Sequence, residues 1–327
     1  MTESQPAAAL DLLVVGDCNP DVLVLGDEVS PEFGQQEKLV DSISLVAGGS
    51  ATITAIAAAR LGLRVALAAV VGADSAGEFM LGLLTAEGVD TASIRVRPGL
   101  ATGMTVALSR GSDRAIITAT GAMTSLTACD IPPELVRRAR HLHVSSYFLL
   151  EQSLGPGLAR LFAQAQAAGT TTSLDTNWDP AERWGSDHLR SALAHTDLLL
   201  PNKAEALHLS GEPTLRAAIR VLTARGARVV VKLGASGALC ADGNEIHRIE
   251  QPASPAGELV DTTGAGDCFN AGLIAGLLRG LELPAAAGLG CAVGSASTLA
   301  AGGTSAAPTL PAALALADAV AVRPGWD

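Results

Sequence analysis

Short apolar segments with strand character alternate with helical segments along most of this chain of 327 residues, and this alternation limits the possible folds more than any other feature. Strand–helix–strand units place parallel strands side by side through right-handed crossovers, so we expect an α/β fold with a mostly parallel sheet and helices on both faces. The predicted strands are residues 12–15, 65–71, 142–145, 171–175, 198–200 and 229–232, and the predicted helices include 51–61, 76–87, 158–168 and 215–225.

Two segments, 22–44 and 102–120, depart from this alternation and show short β-like runs with polar residues and turns. They are predicted to form a small β lid over the main sheet, built from about residues 17–47 and 100–121. Simple surface hairpins would show the same pattern, and the sequence leaves both interpretations open. Nothing marks a linker or a repeat of about 20–50 residues, so residues 1–327 are predicted to form a single domain.

The composition excludes several classes of protein. Hydrophobic residues make up 48% of the chain and charged residues 17%, which is typical of a compact globular protein. The formal net charge of −11 argues against a nonspecific nucleic-acid binder, although it is compatible with a local phosphate site. The five cysteines are scattered without a Cys-x-x-Cys pair, as expected for reduced thiols, and we expect a cytoplasmic protein.

The stretch from residue 283 to residue 317 contains no charged side chain and is long enough to span a membrane. Pro284, Pro308 and Pro311 interrupt it, and small residues dilute it. A spanning helix needs about 20 predominantly apolar residues. We therefore expect a buried helix, a glycine loop and a second helix here, and no membrane partner.

A glycine-rich turn at residues 261–267 leads directly into an apolar helical segment, 271–278. Gly264 and Gly266 allow backbone angles that other residues avoid, so successive N–H groups can point at one anion. The helix start adds unpaired N–H groups and the positive end of the helix dipole. Asp267 stands at the mouth of this predicted anion hole, where a carboxylate can take a proton from an attacking hydroxyl. A plain helix N-cap by Asp267 is the alternative interpretation.

The contiguous string Asp-Thr-Thr-Gly-Ala-Gly-Asp-Cys-Phe-Asn-Ala-Gly at 261–272 closely resembles the C-terminal signature of the ribokinase (PfkB) family of carbohydrate kinases. The resemblance implies a ribokinase-like three-layer sandwich and ATP-dependent phosphorylation of a sugar hydroxyl, expected to be a primary one. It also implies that Asp267 is the general base and that Gly264, Ala265 and Gly266 line the anion hole. A nicotinamide-dependent dehydrogenase is not expected, because no Gly-x-Gly-x-x-Gly follows the first strand.

Two N-terminal segments resemble the sugar-binding parts of the same family. Asn19 and Asp21 follow the first strand, where open α/β sheets place ligand groups, and the resemblance assigns them to sugar hydroxyls. Gly48 and Gly49 precede a helix that ends in Arg-Leu-Gly, and they are expected to let the backbone approach the substrate. Ile53 stands where such kinases commonly carry an asparagine, so the identity of the sugar is left open.

The resemblance also implies two cation sites. Asn202 and Glu205 match the family's Asn-x-x-Glu motif, associated with Mg²⁺ and phosphate through water, and Mg²⁺ suits a site with few protein carboxylates. Their spacing puts them on one helical face, and a capped helix with an exposed glutamate would show the same pattern. Asp261 and Thr263 could belong to a monovalent-cation site, for K⁺, that is lined mainly by backbone carbonyls.

The nucleotide is expected to bind near two further glycine turns. Lys232, Gly234 and Gly237 follow a strand and resemble the family's nucleotide-side Gly-x-x-Gly turn, although an ordinary hairpin bend would look alike. Gly303 falls in the segment where these kinases bind adenine. The resemblance thus implies ATP and Mg²⁺ as cofactors, and a homodimer formed through the lid.

Three polar residues near the predicted strand ends have less certain roles. Asn177, in the string Asp-Thr-Asn-Trp, fits a substrate contact and a loop-forming role equally well. His141 and His143 flank a strand without a third metal ligand nearby, and they are predicted to be structural.

The acceptor also remains open. On the same fold it could be a nucleoside or a phosphorylated sugar, and the second case needs a cationic partner such as Arg110, Arg114 or Arg183. A non-catalytic ligand-binding protein on a kinase scaffold is the alternative of a different class. The presence of Asp267, Asn202 and Glu205 argues against that alternative.

Overall fold

A computed structural model describes residues 10–110, 113–252 and 259–326. Its strands are β1 (Leu10–Val15), β2 (Asn19–Leu25), β3 (Ser42–Gly48), β4 (Val65–Gly72), β5 (Ile94–Arg97), β6 (Met104–Arg110), β7 (Asp113–Ala119), β8 (Ala139–Val144), β9 (Thr171–Leu174), β10 (Leu198–Leu199), β11 (Arg228–Lys232), β12 (Ala238–Asp242), β13 (Glu245–Ile249) and β14 (Val322–Pro324). Its α-helices are α1 (Ser50–Arg60), α2 (Ser75–Ala86), α3 (Pro133–Arg138), α4 (Tyr147–Ala167), α5 (Asp187–Leu193), α6 (Lys203–Ser210), α7 (Leu215–Thr223), α8 (Ala265–Leu278), α9 (Leu283–Ser297) and α10 (Leu310–Ala317).

The described strands form one large sheet and one small sheet. The large sheet has ten strands in the order β14-β13-β12-β11-β10-β9-β8-β1-β4-β5. Neighbours from β11 to β5 run parallel, and the strands from β11 to β14 pair antiparallel at the other end. The expected α/β fold with a mostly parallel sheet is therefore confirmed.

Two hydrophobic cores cover the two faces of this sheet. Strand β1 is buried along its whole length, and its side chains alternate between the cores: Leu13 and Val15 join one, Leu12 and Val14 the other. Helices α4–α7 contribute to the first core, and α1, α2, α8, α9 and α10 contribute to the second. Because both faces are covered, the central strands read as continuous apolar runs in the sequence.

The small sheet has the order β3-β2-β6-β7 and comes from the two segments that interrupt the alternation. Strand β2 pairs antiparallel with β3 and parallel with β6, and β6 pairs antiparallel with β7. Asn19 and Asp21 lie at the start of β2, directly after the end of β1 and the connecting residues 16–18. The small sheet thus begins at the edge of the large one.

Two helices begin earlier than the sequence predicts. The predicted helix 158–168 is the second half of α4, which starts at Tyr147 and continues through Gly155, Pro156 and Gly157. Buried contacts of its first half outweigh the intrinsic cost of these residues. A Cβ on Gly157 would overlap that of Ala128, so glycine lets the two segments approach closely. Helix α8 starts at Ala265 rather than 271, because Gly264 adopts the left-handed conformation that precedes the first turn.

The uncharged stretch 283–317 forms α9, a loop and α10, as predicted. Among the residues that the structure describes, no helix has the length and apolar character needed to cross a membrane.

Candidate active site

The C-terminal ends of the parallel strands bring both predicted and unpredicted polar residues to one edge of the large sheet. Asp17 follows β1, Asp175 follows β9, Asn202 follows β10 and Lys232 ends β11. In open α/β sheets this edge is where ligands bind, because the loops there leave a crevice. The start of α8 lies beside it, since Lys232 Nζ comes within 3.6 Å of the position that a Cβ on Gly266 would take.

The start of α8 is shaped by close packing around Gly264. This residue has φ 70°, and a Cβ on it would lie 2.7 Å from the Gly303 Cα and 3.0 Å from the Ile53 Cγ2. No larger residue fits that position without displacing the loop that contains Gly303. The N–H groups at the start of α8 are therefore held in a fixed place, as an anion site requires, and that of Ala265 also donates to the Thr262 carbonyl over 3.3 Å.

Asp267 lies in this first turn and is almost fully buried. Burial and then the negative charge of Asp175 raise the pKa of the Asp267 carboxyl well above its ordinary value, while the Lys232 ammonium opposes the shift. A carboxyl group with a raised pKa is a stronger proton acceptor, once ionised, than an ordinary carboxylate. The arrangement can therefore hold an anion and accept a proton at adjacent points.

The four residues predicted to bind substrate lie together where β2 meets β3. Asn19 pairs with Gly48 across the two strands, and the Asn19 Nδ2 donates to the Asp21 Oδ1 over 3.1 Å. A Cβ on Gly48 would overlap the Asp21 carboxylate, and a Cβ on Gly49 would lie 2.9 Å from the Asn19 Oδ1. The glycine pair is thus needed to make room for these two buried polar side chains.

Ile53 packs against the glycine turn at the start of α8. Its side chain is buried beside Gly264 and Gly303, within van der Waals distance of both. An apolar residue at this position closes the space next to the helix start. It supplies no hydrogen bond to a ligand there.

Asp17 is a buried site residue that the sequence pattern did not reveal. Its two carboxylate oxygens accept hydrogen bonds from the backbone N–H groups of Ser50 (3.1 Å) and Ala51 (2.9 Å), at the start of α1. Ser50 also links this helix to Asn177, whose Nδ2 donates to the Ser50 Oγ over 2.8 Å. The Asn177 Oδ1 accepts a hydrogen bond from the backbone N–H of Ser146 over 3.0 Å. The oxygen and the nitrogen of this side-chain amide are therefore both used in joining separate segments.

A second unpredicted feature is a buried ion pair beneath Asp267. The Lys232 Nζ donates a short hydrogen bond to the Asp175 Oδ2, and Asn270 Nδ2 donates to the same oxygen over 2.6 Å. Burial raises the pKa of Asp175, but the Lys232 charge and these hydrogen bonds leave it below its ordinary value. Burial lowers the pKa of Lys232, yet Asp175 and Glu205 leave it raised. The pair is therefore ionised and places a lysine ammonium beside the anion site.

Asn202 and Glu205 form a reciprocal capping box at the start of α6. The Glu205 N–H donates to Asn202 Oδ1 over 2.9 Å, and the Asn202 N–H donates to Glu205 Oε2 over 2.8 Å. Asn202 is thus the N-cap, and Glu205 is buried instead of exposed. Burial, followed by the charge of Asp175, raises the pKa of Glu205 to about 7.

The predicted nucleotide turn and the 261–263 segment have different surroundings. Gly234 has φ 58° and open space on its Cβ side, whereas a Cβ on Gly237 would overlap the Ile249 carbonyl oxygen.

Asp261 accepts hydrogen bonds from Thr263 N–H (2.9 Å) and from Gly302 N–H (2.9 Å). Its side chain therefore ties two loops together.

His141 and His143 are structural, as predicted. Both rings are buried, and Ser173 Oγ lies 2.7 Å from a ring nitrogen of each. Burial lowers the pKa of His141 to about 3 and that of His143 to about 4, so both are neutral at physiological pH. No group of three or more potential metal-ligating His, Cys, Asp or Glu side chains occurs in the described part of the chain.

Comparison with known proteins agrees with this fold. Residues 9–310 match the pfkB family carbohydrate kinase profile, so the chain belongs to this family. It is 29% identical to a ribokinase from Haemophilus influenzae, over 91% of this chain and 95% of that protein. It is 30% identical to a 2-dehydro-3-deoxygluconokinase from Bacillus subtilis, over 83% and 86%. A provisionally named ribokinase II from E. coli, solved with ATP and Mg²⁺, superposes with a TM-score of 0.82 at 25% identity, covering 94% of this chain and 99% of that one.

The predicted family and the ribokinase-like fold are thereby confirmed. The chain is an ATP-dependent carbohydrate kinase, which transfers a phosphoryl group to an alcohol.

Proposed function

We propose that the chain phosphorylates a primary hydroxyl of a sugar bound between the small sheet and the edge of the large sheet. Asn19, Asp21, Gly48 and Gly49 hold the sugar hydroxyls. Support comes from the buried carboxylate and amide at the start of β2, where the Asn19 Nδ2 donates to the Asp21 Oδ1 over 3.1 Å and to the Thr105 Oγ1 over 3.3 Å. Carboxylate and amide groups in this position can pair with several hydroxyl groups at once.

Asp267 is the general base in this proposal. It removes the proton of the sugar hydroxyl as that oxygen attacks the γ-phosphorus of ATP, and ADP leaves with the former bridging oxygen. The N–H groups of Gly264, Ala265 and Gly266, with the Lys232 ammonium beside them, stabilise the charge on the transferring phosphoryl group. The observation that carries this assignment is the buried carboxyl of Asp267 with its raised pKa at the N-terminus of α8.

Asn202 and Glu205 would hold Mg²⁺ through water. The donor set fits, because Glu205 is a single buried carboxylate and Mg²⁺ keeps several waters of its own. When bound, the metal would neutralise charge on the nucleotide phosphates. Gly234, Gly237 and Gly303 would border the nucleotide through their backbone.

Glu205→Gln is expected to raise the Mg²⁺ concentration needed for half-maximal activity about 10–100-fold, as is typical for groups that act on a metal indirectly. Glutamine can still take part in a capping box, so thermal stability should change little. The wild-type requirement for Mg²⁺ should rise as the pH falls below about 7, because Glu205 then takes up a proton; the variant should lack this dependence.

Titration of initial rate against Mg²⁺ at several pH values checks this. Glu78→Gln is the matched control, since Glu78 is an exposed acid in the first turn of α2. An unchanged Mg²⁺ requirement in Glu205→Gln would leave the glutamate with a capping role alone.

The first test of the proposed function is a coupled assay of ADP release with Mg²⁺-ATP. The panel of acceptors should include ribose and 2-dehydro-3-deoxygluconate, after the named activities of the relatives, with further sugars, sugar phosphates and nucleosides. Turnover on one acceptor identifies the substrate class. No turnover, combined with ligands that raise the melting temperature, would favour a non-catalytic ligand-binding protein.

A nucleoside or a phosphorylated sugar remains the second candidate for the acceptor. Of the cationic partners proposed for a substrate phosphate, Arg183 donates to Glu151 Oε2 over 3.1 Å and is already paired. The side chains of Arg110 and Arg114 lie outside the described residues. The sugar-phosphate alternative therefore gains no support from Arg183.

We infer that a monovalent cation, K⁺, binds where residues 261–263 meet residues 298–303. The buried carboxyl group of Asp261 holds these loops together, and Val260 N–H donates to the Thr298 carbonyl over 2.9 Å. Exchanging K⁺ for tetramethylammonium at constant ionic strength should lower kcat. Equal rates in both salts would contradict a cation site.

We also infer a homodimer formed through the small sheet. Cross-strand neighbours Leu45, Val22, Val106 and Ile117 make an apolar row across all four strands of one face. Ile117 is 63% exposed, and Leu45 is exposed as well. Exposed apolar rows of this kind mark interaction surfaces.

Ile117→Glu should therefore convert the dimer to a monomer in sedimentation equilibrium. Ile116→Glu is the matched control, because Ile116 is 57% exposed on the opposite face of the same strand and should leave the dimer intact. A wild-type chain that sediments as a monomer would contradict the dimer.

A further inference from the structure

A groove of about 1100 Å³ opens at the edge of the large sheet opposite to Asp267. It is lined by the starts of three parallel strands, at Ala139 in β8, Thr171 in β9 and Arg228 in β11, and by the end of α8 with residues 280–282 that follow it. We call it the basal groove. Its volume matches that of small-molecule sites, and it shares no residue with the transfer site proposed above.

The basal groove is positively charged although the chain carries a formal net charge of −11. Its lining includes Arg137, Arg138, Arg140 and Arg228, against two carboxylates, Glu134 and Glu282. Arginine presents a planar fork of N–H donors that matches the oxygens of a phosphate group. The charge of this groove therefore differs in sign from that of the whole molecule.

Three of these arginines are available to a ligand. Arg140 donates to the Leu278 carbonyl over 2.6 Å and lies 3.5 Å from an Asp11 carboxylate oxygen. The side chains of Arg137, Arg138 and Arg228 make no hydrogen bond or ion pair with any part of the chain that the structure describes. Their donors are therefore free to bind an anion.

Helix capping does not account for this convergence. Arg137 and Arg138 lie in the last turn of α3, where cations are favourable at any helix end. Arg140 and Arg228, however, lie in strands β8 and β11. Two separate strands and a helix thus direct cationic residues to one groove.

The floor of the groove is polar but uncharged. His141 is buried there, and its ring nitrogens lie 2.7 Å from Thr171 Oγ1 and 2.7 Å from Ser173 Oγ. Burial keeps the imidazole neutral. The Asp197 carboxylate lies beside this floor, where it accepts hydrogen bonds from Thr172 and Gln166, and none of the three arginines pairs with it in the described part of the chain.

We propose that the basal groove binds a small molecule that carries at least two phosphate groups, gripped by Arg137, Arg138 and Arg228. A single phosphate would fill little of the groove. A nucleic acid would need a far larger basic surface than four arginines on an acidic protein. The proposal stands independently of the acceptor of the kinase reaction.

Isothermal titration calorimetry with sodium tripolyphosphate as the probe tests this. Arg137→Ala/Arg138→Ala should weaken binding at the groove at least about tenfold, since two charge-assisted contacts are removed. Arg220→Ala/Arg225→Ala is the matched control, because both of these arginines are exposed and the change in net charge is the same. Arg228→Ala is a second, independent variant should the double variant fail to fold.

Weaker binding in the two groove variants but not in the control supports the proposal. Equal affinity in all four proteins would overturn it and place the probe elsewhere, including at α8. If the control variant binds tripolyphosphate as weakly as the groove variants do, the loss comes from overall charge, and the proposal is overturned as well. Citrate binding as tightly as tripolyphosphate would overturn the assignment to phosphate.

Discussion

Replacing Asp267 with asparagine is expected to lower kcat about 10²–10⁴-fold, because an amide cannot accept the proton of the attacking hydroxyl. KM should change less, since the groups proposed to bind the sugar lie on β2 and where β3 leads into α1. Steady-state ADP release on the acceptor found in the panel measures both constants. Near-wild-type turnover would exclude Asp267 as the base.

The same substitution should not destabilise the protein. Asp267 has a raised pKa in the folded state, so its contribution to stability is fully present below the unfolded pKa and is lost as the pH rises through the folded pKa. Above that pH the wild type holds a buried carboxylate, whereas asparagine stays neutral. We therefore expect Asp267→Asn to melt at the same or a higher temperature at neutral pH, with the advantage disappearing in acid. A lower melting temperature would attribute the lost activity to misfolding.

Lys232→Met is expected to lower the free energy of unfolding by about 3–5 kcal/mol at neutral pH, because it leaves the buried carboxylate of Asp175 without its cation. The side chains are only 13% and 2% exposed, so water cannot replace the lost partner. Asp175 has a lowered pKa in the wild type, and the stability that this provides is present above the unfolded pKa and lost as the pH falls through the folded pKa. The difference between the two proteins should therefore shrink in acid.

Urea denaturation measures this difference. Arg190→Met is the control, because Arg190 pairs with Asp187 on the surface, where the side chains are 64% and 90% exposed, and such pairs often contribute nothing measurable. Adding Asp175→Asn to Lys232→Met should recover much of the loss, since no buried charge then remains unpaired. A Lys232→Met protein as stable as the wild type would show that the pair adds little to the fold.

The local features of the site could be predicted because they depend on short stretches of backbone. Gly264 must adopt a left-handed conformation before a helix, and the string around it announces both the turn and Asp267. Asn19 and Asp21 follow an apolar strand, so their position at the sheet edge follows from the parallel fold. The two segments that lack helical spacing carry the strands of the small sheet, and this too could be predicted because the spacing of apolar residues is a local property.

Other parts depend on residues far apart in the chain. Lys232 and Asp175 are 57 residues apart, and no local pattern joins them. Asp17 reads as an ordinary turn residue until α1 is placed against the end of β1, where it accepts the N–H groups of Ser50 and Ala51. The sequence does not predict the start of α4, because Pro156 and its flanking glycines indicate a break in the helix. Burial of Tyr147 and Leu150 in the folded chain favours a continuous helix instead.

The α/β class, the glycine turn with Asp267 and the polar pair after the first strand can all be inferred from the chain's residues in order. These follow from steric limits on single residues and from the period of apolar side chains, both of which act over a few positions. The tertiary structure alone decided the strand order, the buried Lys232–Asp175 pair, the raised pKa of Glu205 and the convergence of arginines in the basal groove. Each of these depends on which distant segments pack together and exclude water, and no short stretch of the chain contains that information.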